Sequence, residues 1–463
     1  MLRNANRLRG AGKATVAAML LGALGVWGIA QAGHDSHDDG QSSDGLNHST
    51  DNHESNRNSH DRDGRRDHDD DEHSGNGKRK TIVVKPGQSI QAAIDRAKPG
   101  TRIYVLAGTY RETGNPNNGL NISKSGISLI GQKTRHKGVV LENAGGQRNG
   151  IVVVPPDRTD CMACHTDLAP PFPLYPEVDT TVMHPDPVIN GLEIRNITIK
   201  DFTNNGLFTE LVDNFKIINV HSVNNPNYGI FPTRSSNGLI SHSSAVGADD
   251  SGIWIETSTN VRATHNLVAD NVNGFEISNS DDIELSNNEI SGNTVGIAAL
   301  LLPDIYPIRG SSKRLTIKDN YIHDNNRVNT ANDDSILGTV PPGIGILHVG
   351  IDDSVIANNR VENNNFSGIV VADYCVVVMG SPYACGADPD TLAPGFIEDS
   401  PALNNRVTGN TLVNNGTVAS DHPFDFARAD MSLITDVTGV TNCYSGNVYT
   451  TEFSTLGFLP ACE

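Results

Sequence analysis

A recurring glycine sets the period of this chain. It precedes an apolar stretch at Gly206 (GLF), Gly229 (GIF), Gly252 (GIW), Gly274 (GFE) and Gly296 (GIA), at spacings of 23, 23, 22 and 22 residues. Gly345 and Gly368 resume the series 23 residues apart, after an interruption around residues 303–342. Eight residues after the first four glycines stand Asn214, Asn237, Asn260 and Asp282. The pattern Asn-x4-Asn recurs at 266/271, 288/293, 320/325, 359/364 and 410/415. A period of this length holds three short strands and three turns, and one such coil cannot bury its own apolar face. Coils must therefore stack. Stacking places equivalent residues about 4.8 Å apart, so a repeated Asn becomes a hydrogen-bonded ladder. An antiparallel sandwich imposes no fixed period of this length. The expected fold is all-β, a right-handed single-stranded parallel β-helix in which each glycine marks a turn.

The segment before the repeats, TIVVKPGQSIQAAIDRAKPGTRIYVLAGTYRE, reads strand, short amphipathic helix, strand. Ile90, Ala93, Ile94 and Ala97 fall on one helical face, Ser89 is the expected N-cap, and Pro99-Gly100 ends the helix. Such a helix would close the open N-terminal end of the solenoid core. With the coil repeat, this segment resembles the pectate-lyase-like β-helix superfamily over roughly residues 81–440. In finer detail it resembles an uncharacterised group of exported bacterial parallel β-helix proteins associated with c-type cytochromes. The resemblance implies a pectin-lyase-like fold with an N-terminal capping helix. It implies no single chemistry, since the superfamily holds lyases, hydrolases, epimerases and adhesins.

Residues 1–32 read as a secretory signal, with Arg3, Arg7, Arg9 and Lys13 before an apolar run and Ala30-Gln31-Ala32 as the cleavage pattern. After cleavage no remaining segment is long and apolar enough to span a membrane, which places the protein in the periplasm or secreted to the cell surface. Residues 33–80 are a His/Asp-rich tether holding seven of the sixteen histidines. That composition cannot bury enough surface to order itself, so a solvated spacer is expected, with metal capture as the competing reading. The formal charge of −19 excludes a nucleic-acid partner, which would need a basic footprint. In an oxidising compartment Cys375 with Cys385, and Cys443 with Cys462, are local disulfide pairs, the second closing a C-terminal cap over 441–463.

Cys161 and Cys164 remain, in CMACH, inside a Pro-rich interruption of the coil period at 155–187. C-x-x-C-H is the attachment motif of haem c. Cys161 and Cys164 would form the thioethers, His165 would be the proximal iron ligand, and Met183 or His184 the sixth, with His136 as another source. A c-type cytochrome is the partner this reading implies. A Cys161–Cys164 disulfide or a zinc site are the competing readings, and zinc lacks a clear fourth ligand. Calcium is a further cofactor that no ligand pattern in the chain supports.

Strand alternation assigns sides. In GIWI, Ile253 and Ile255 point to the core and Trp254 points out. The same register gives an outward file Phe208, Phe231, Trp254, Glu276, Ala298 and a second file Glu210, Thr233, Glu256, Ser278, Leu300. Phe208, Phe231 and Trp254 form a saccharide platform, or else the Pro-rich loop around CMACH buries them. With Asp249, Asp250, Glu256 and Glu276 as acids, a polysaccharide lyase, hydrolase or epimerase is the second functional reading. The companion motifs of polygalacturonases, mannuronan epimerases and pectate lyases are absent. A non-catalytic adhesive solenoid is the third. His242 and His265 share one repeat position with Asn219 and Asn287, which reads as a polar ladder or a two-His metal edge.

Overall fold

Inward-facing apolar residues and a close approach between coils dictate the architecture. The computed structural model describes residues 80–135, 137–156, 188–302, 312–331, 338, 340–377, 401–435 and 441–463. These residues wind into a right-handed parallel β-helix in which every strand pairing is parallel. One sheet, here the front sheet, holds 11 strands among the described residues, from Asn118–Ile122 to Glu452–Ser454. The back sheet holds 20 and supplies the other two strands of each coil. Two long back strands, Ile189–Lys200 and Val212–Val223, run unbroken where later coils divide into a pair.

Register is strict because a slip of one residue would turn every apolar side chain to the wrong face. Ile230 pairs with Ile253, Ile253 with Phe275, and Phe275 with Ile297, so these side chains stack along the axis. All four are fully buried. Each such side chain contributes about 1.5–3 kcal/mol of hydrophobic stabilisation.

The repeated glycines differ from the turn role that their spacing suggests. Gly252, Gly274 and Gly296 lie inside front-sheet strands, and none has a positive φ. A Cβ at Gly229 would stand 2.4 Å from the carbonyl oxygen of Gly252, and one at Gly274 would stand 2.5 Å from that of Gly296. Close packing of coil on coil excludes a side chain there. The left-handed turns belong to asparagine instead. Asn214, Asn237 and Asn260 have φ of 57°, 55° and 54°, a region that Asn tolerates better than other side chains.

The two asparagines of Asn-x4-Asn build separate buried ladders. Asn266, Asn288, Asn320, Asn359 and Asn410 each donate from Nδ2 to the next Oδ1 at 2.9–3.0 Å, ending on Asn447. The second ladder runs from Asn271 through Asn293, Asn325 and Asn364 to Asn415, which donates to Asp430 at 3.0 Å. Asp430 ends it by accepting the Thr450 and Thr451 backbone N–H groups at 2.9 and 3.1 Å on its other oxygen.

The helix forms at Ile90–Arg96 with Ile90, Ala93 and Ile94 buried, and the Ser89 hydroxyl accepts the Ala92 N–H at 2.9 Å. Glu112 completes the cap, accepting the Ile90 N–H at 2.6 Å and the Ser89 hydroxyl at 2.7 Å. At the other end Cys443 and Cys462 are disulfide-bonded. Cys375 is also disulfide-bonded, and Cys385, its expected partner, lies outside the described residues. So do the signal, nearly all of the tether, His136, and the segment carrying Cys161, Cys164, His165, Met183 and His184. Among the described residues no helix is long and apolar enough to cross a membrane.

Candidate functional site

A solenoid strand with one face on the core and one in water alternates buried and exposed residues. The back sheet does so: in Thr259–Thr264, Val261 and Ala263 are buried while Asn260 and Arg262 are exposed. The front sheet does not. Every residue of Ser251–Glu256, Asn273–Ser278 and Val295–Leu300 is buried. Several of its outward positions are nonetheless polar or aromatic, which a merely covered face would not need.

Departures from the coil period also gather at this sheet. Two residues connect Thr264 to Leu267 in the back sheet. Long connections instead follow front strands ending at Val153, Leu300 and Ala372, and precede front strands starting at Ile344 and Ala429.

Both outward files align as the alternation implies. Phe208 pairs with Phe231 and Trp254 with Glu276, while Glu210 pairs with Thr233, Thr233 with Glu256, and Glu256 with Ser278. The Phe231 and Trp254 rings stack with centroids 4.3 Å apart and planes 8° from parallel. Phe208 meets Phe231 edge-on at 5.2 Å. Phe208, Phe231 and Trp254 are 0%, 1% and 5% exposed, so the stripe points away from the core and is still buried. The loop expected to cover it lies outside the described residues. The Trp254 indole N–H donates to Ser278 Oγ at 2.7 Å, which holds the ring in plane.

The carboxyl groups form two clusters. In the first, Glu256 is fully buried and accepts the Thr233 and Thr257 hydroxyls, with Arg234 and Glu210 ion-paired beside it at 3.2 Å. Burial outweighs these hydroxyls and the Arg234 charge, pushing the Glu256 carboxyl up to about 7. In the second, Ser251 Oγ stands 3.0 Å from Asp250 and 2.5 Å from Glu276. A hydroxyl has one proton to donate. It therefore donates to one of the two carboxyls at a time. Glu276 also accepts from Asn273 Nδ2 at 3.1 Å. Burial pushes Asp250 up to about 6, opposed by the Ser251 and Tyr228 hydroxyls. Tyr228 packs on Trp254 at 4.7 Å, and burial raises its phenol well above the usual range.

Asp249 is not brought into either cluster. It is exposed, accepting from Arg327 at 2.9 Å and from the Thr330 hydroxyl at 3.1 Å. Tyr228, Ser251, Arg234 and Thr257 were not singled out in the sequence. Tyr228 and Ser251 each stand one residue before a repeat glycine and pair with one another, so aligning that position would have found them. His242 and His265 stack at 5.1 Å with planes 4° apart, at left-handed turn positions shared with Asn219 and Asn287. At the same repeat position Asn219 donates from Nδ2 to Asn196 Oδ1 at 3.1 Å. Among the described residues no group of three or more His, Cys, Asp or Glu is placed to hold a metal ion.

Residues 188–302 match the family model for the right-handed beta helix region. No curated protein matches the chain. Similar solved structures include the A-module of the mannuronan C-5 epimerase AlgE4 of Azotobacter vinelandii, 17% identical, covering 79% of this chain and 94% of that one at a TM-score of 0.46. The family 28 exopolygalacturonase of Yersinia enterocolitica is 12% identical, covering 83% and 79% at a TM-score of 0.47. Pectate lyase Pel9A is 12% identical, covering 84% and 82% at 0.35. At these identities the likeness concerns the winding of the chain and carries nothing about its chemistry.

Proposed function

We propose that this is a carbohydrate-active protein, working by acid–base chemistry on a glycan held at the outward side of the front sheet. The observation that carries this reading is Glu256, a buried carboxyl at about 7 two residues from the stacked Trp254 ring. Breaking a glycosidic bond needs a proton for the departing oxygen and a carboxylate for the sugar carbon or for water. Glu256 is part protonated near neutrality and suits the first task. The Asp250–Glu276 pair, joined through Ser251 Oγ, would supply the carboxylate for the second. Tyr228, half-buried and backed by the Trp254 and Phe231 rings, offers a face to the apolar side of a sugar ring. Asp250 and Tyr228, both half-buried, form the edge by which a substrate would enter. Asp249, tied to Arg327, would hold that edge in place.

The test is incubation of the full chain with a polysaccharide panel, scored for new reducing ends and for unsaturated products. Glu256→Gln and Asp250→Asn should each abolish whatever turnover the parent shows. Turnover that survives Glu256→Gln, or no turnover on any glycan, refutes the reading.

A second reading rests on CMACH. Cys161 and Cys164 would bind one haem c covalently, with His165 and either Met183 or His184 on the iron, serving electron transfer to a c-type cytochrome in the periplasm or at the cell surface. Haem would supply one-electron redox chemistry. Protein made with c-type maturation machinery should show Soret and α bands that survive denaturation, and joint Cys161→Ala and Cys164→Ala should remove them. Absent bands refute this reading. A chain that shows neither turnover nor haem would be the adhesive solenoid.

A further inference from the structure

We infer that the front-sheet site takes neutral glycans and disfavours polyuronates, an inference that rests on the carbohydrate reading above. Five carboxyl groups, those of Glu210, Asp249, Asp250, Glu256 and Glu276, lie on or beside the front strands that carry Phe208, Phe231 and Trp254. Two guanidinium groups face them among the described residues, and each already holds a carboxylate. Arg234 pairs with Glu210 at 3.2 Å, and Arg327 pairs with Asp249 at 2.9 Å. The Arg234 pair is buried on both sides, where its attraction is least screened and its guanidinium is least able to turn to another anion.

A uronate ring resting on Tyr228 would bring its own carboxylate beside Asp250 and its neighbour Glu276. Like charges in a water-poor site repel, and the added anion would make Glu256 hold its own proton more tightly, weakening it as a donor. A neutral sugar meets the same groups favourably. Its hydroxyls donate to the Asp250–Glu276 carboxyls, and its apolar face lies on the half-buried Tyr228 ring. The overall charge of −19 acts in the same direction during approach, since a polyanion is repelled before it docks.

The experiment compares neutral glycans (mannan, xyloglucan, arabinan, galactan) with polygalacturonate and alginate on the intact protein at low and high salt. Neutral glycans should be turned over with little salt dependence. Polyuronates should be turned over at least about tenfold less efficiently at low salt, with the gap narrowing as salt screens the repulsion. Glu210→Gln, which removes the charge holding Arg234, should raise the polyuronate rate relative to the neutral one. Equal turnover, or a preference for polyuronates at low salt, overturns the inference while leaving the carbohydrate reading intact. No turnover on either class overturns both.

Discussion

Removing the charge of Glu256 should reverse a pH dependence that the fold builds in. In the unfolded chain this carboxyl titrates near 4.5, and in the folded one near 7. Between those values the native state holds a proton that the unfolded state has lost, so stability falls as pH rises through the window. The loss amounts to about 3 kcal/mol, at about 1.4 kcal/mol for each pH unit. The side chain is fully buried, so solvent screening takes little from that figure. Glu256→Gln keeps the shape but cannot ionise, and its one amide oxygen accepts either the Thr233 or the Thr257 hydroxyl. Its offset from the parent at about pH 4, where both side chains are neutral, reflects only altered hydrogen bonding. From about pH 4 to about pH 8 the variant should therefore gain about 3 kcal/mol relative to the parent. Urea denaturation of both proteins across that range measures it. A difference that stays constant to within about 0.5 kcal/mol would refute both the burial of Glu256 and its assignment as a proton donor.

Four further outcomes follow from the same geometry. His348 is fully buried against Asn405 and burial pushes its imidazole down to about 4. Its neutral form is favoured, so it costs stability as pH falls from 6.5 toward 4, and His348→Leu should flatten the acid limb of a denaturation profile by up to about 3 kcal/mol. Asn293→Ala removes the acceptor for the Asn271 N–H and Nδ2 groups and should cost about 2–3 kcal/mol by thermal or urea unfolding. Asn260→Gly, at an exposed left-handed turn, should change stability by less than about 1 kcal/mol in the same assay. Gly274→Ala drives a methyl to 2.5 Å from the Gly296 carbonyl oxygen and should cost about 1–3 kcal/mol, visible as a lowered Tm.

Much of the fold is legible in the chain because a solenoid is nearly one-dimensional: each coil touches only its neighbours, so a repeat in sequence is a repeat in space. The period of Gly229, Gly252 and Gly274, the Asn-x4-Asn pairs and the alternation in GIWI suffice to place Trp254 outward and to stack Glu256 on Ser278. The same one-dimensional logic misjudged the glycines. A turn and a close backbone approach both exclude a Cβ, and only the position of the next coil's carbonyl tells them apart.

What the sequence by itself determined, then, is which residues share a file and which way each side chain points, since both follow from local periodicity. Only the tertiary structure decided that the front sheet's outward residues are buried while the back sheet's are exposed. Exposure depends on what the rest of the chain places over a surface, and no strand pattern carries that. The raised carboxyls of Glu256 and Asp250 follow from burial, and the contact of Asp250 and Glu276 through Ser251 follows from distances between neighbouring coils. Their chemistry is a property of the folded chain.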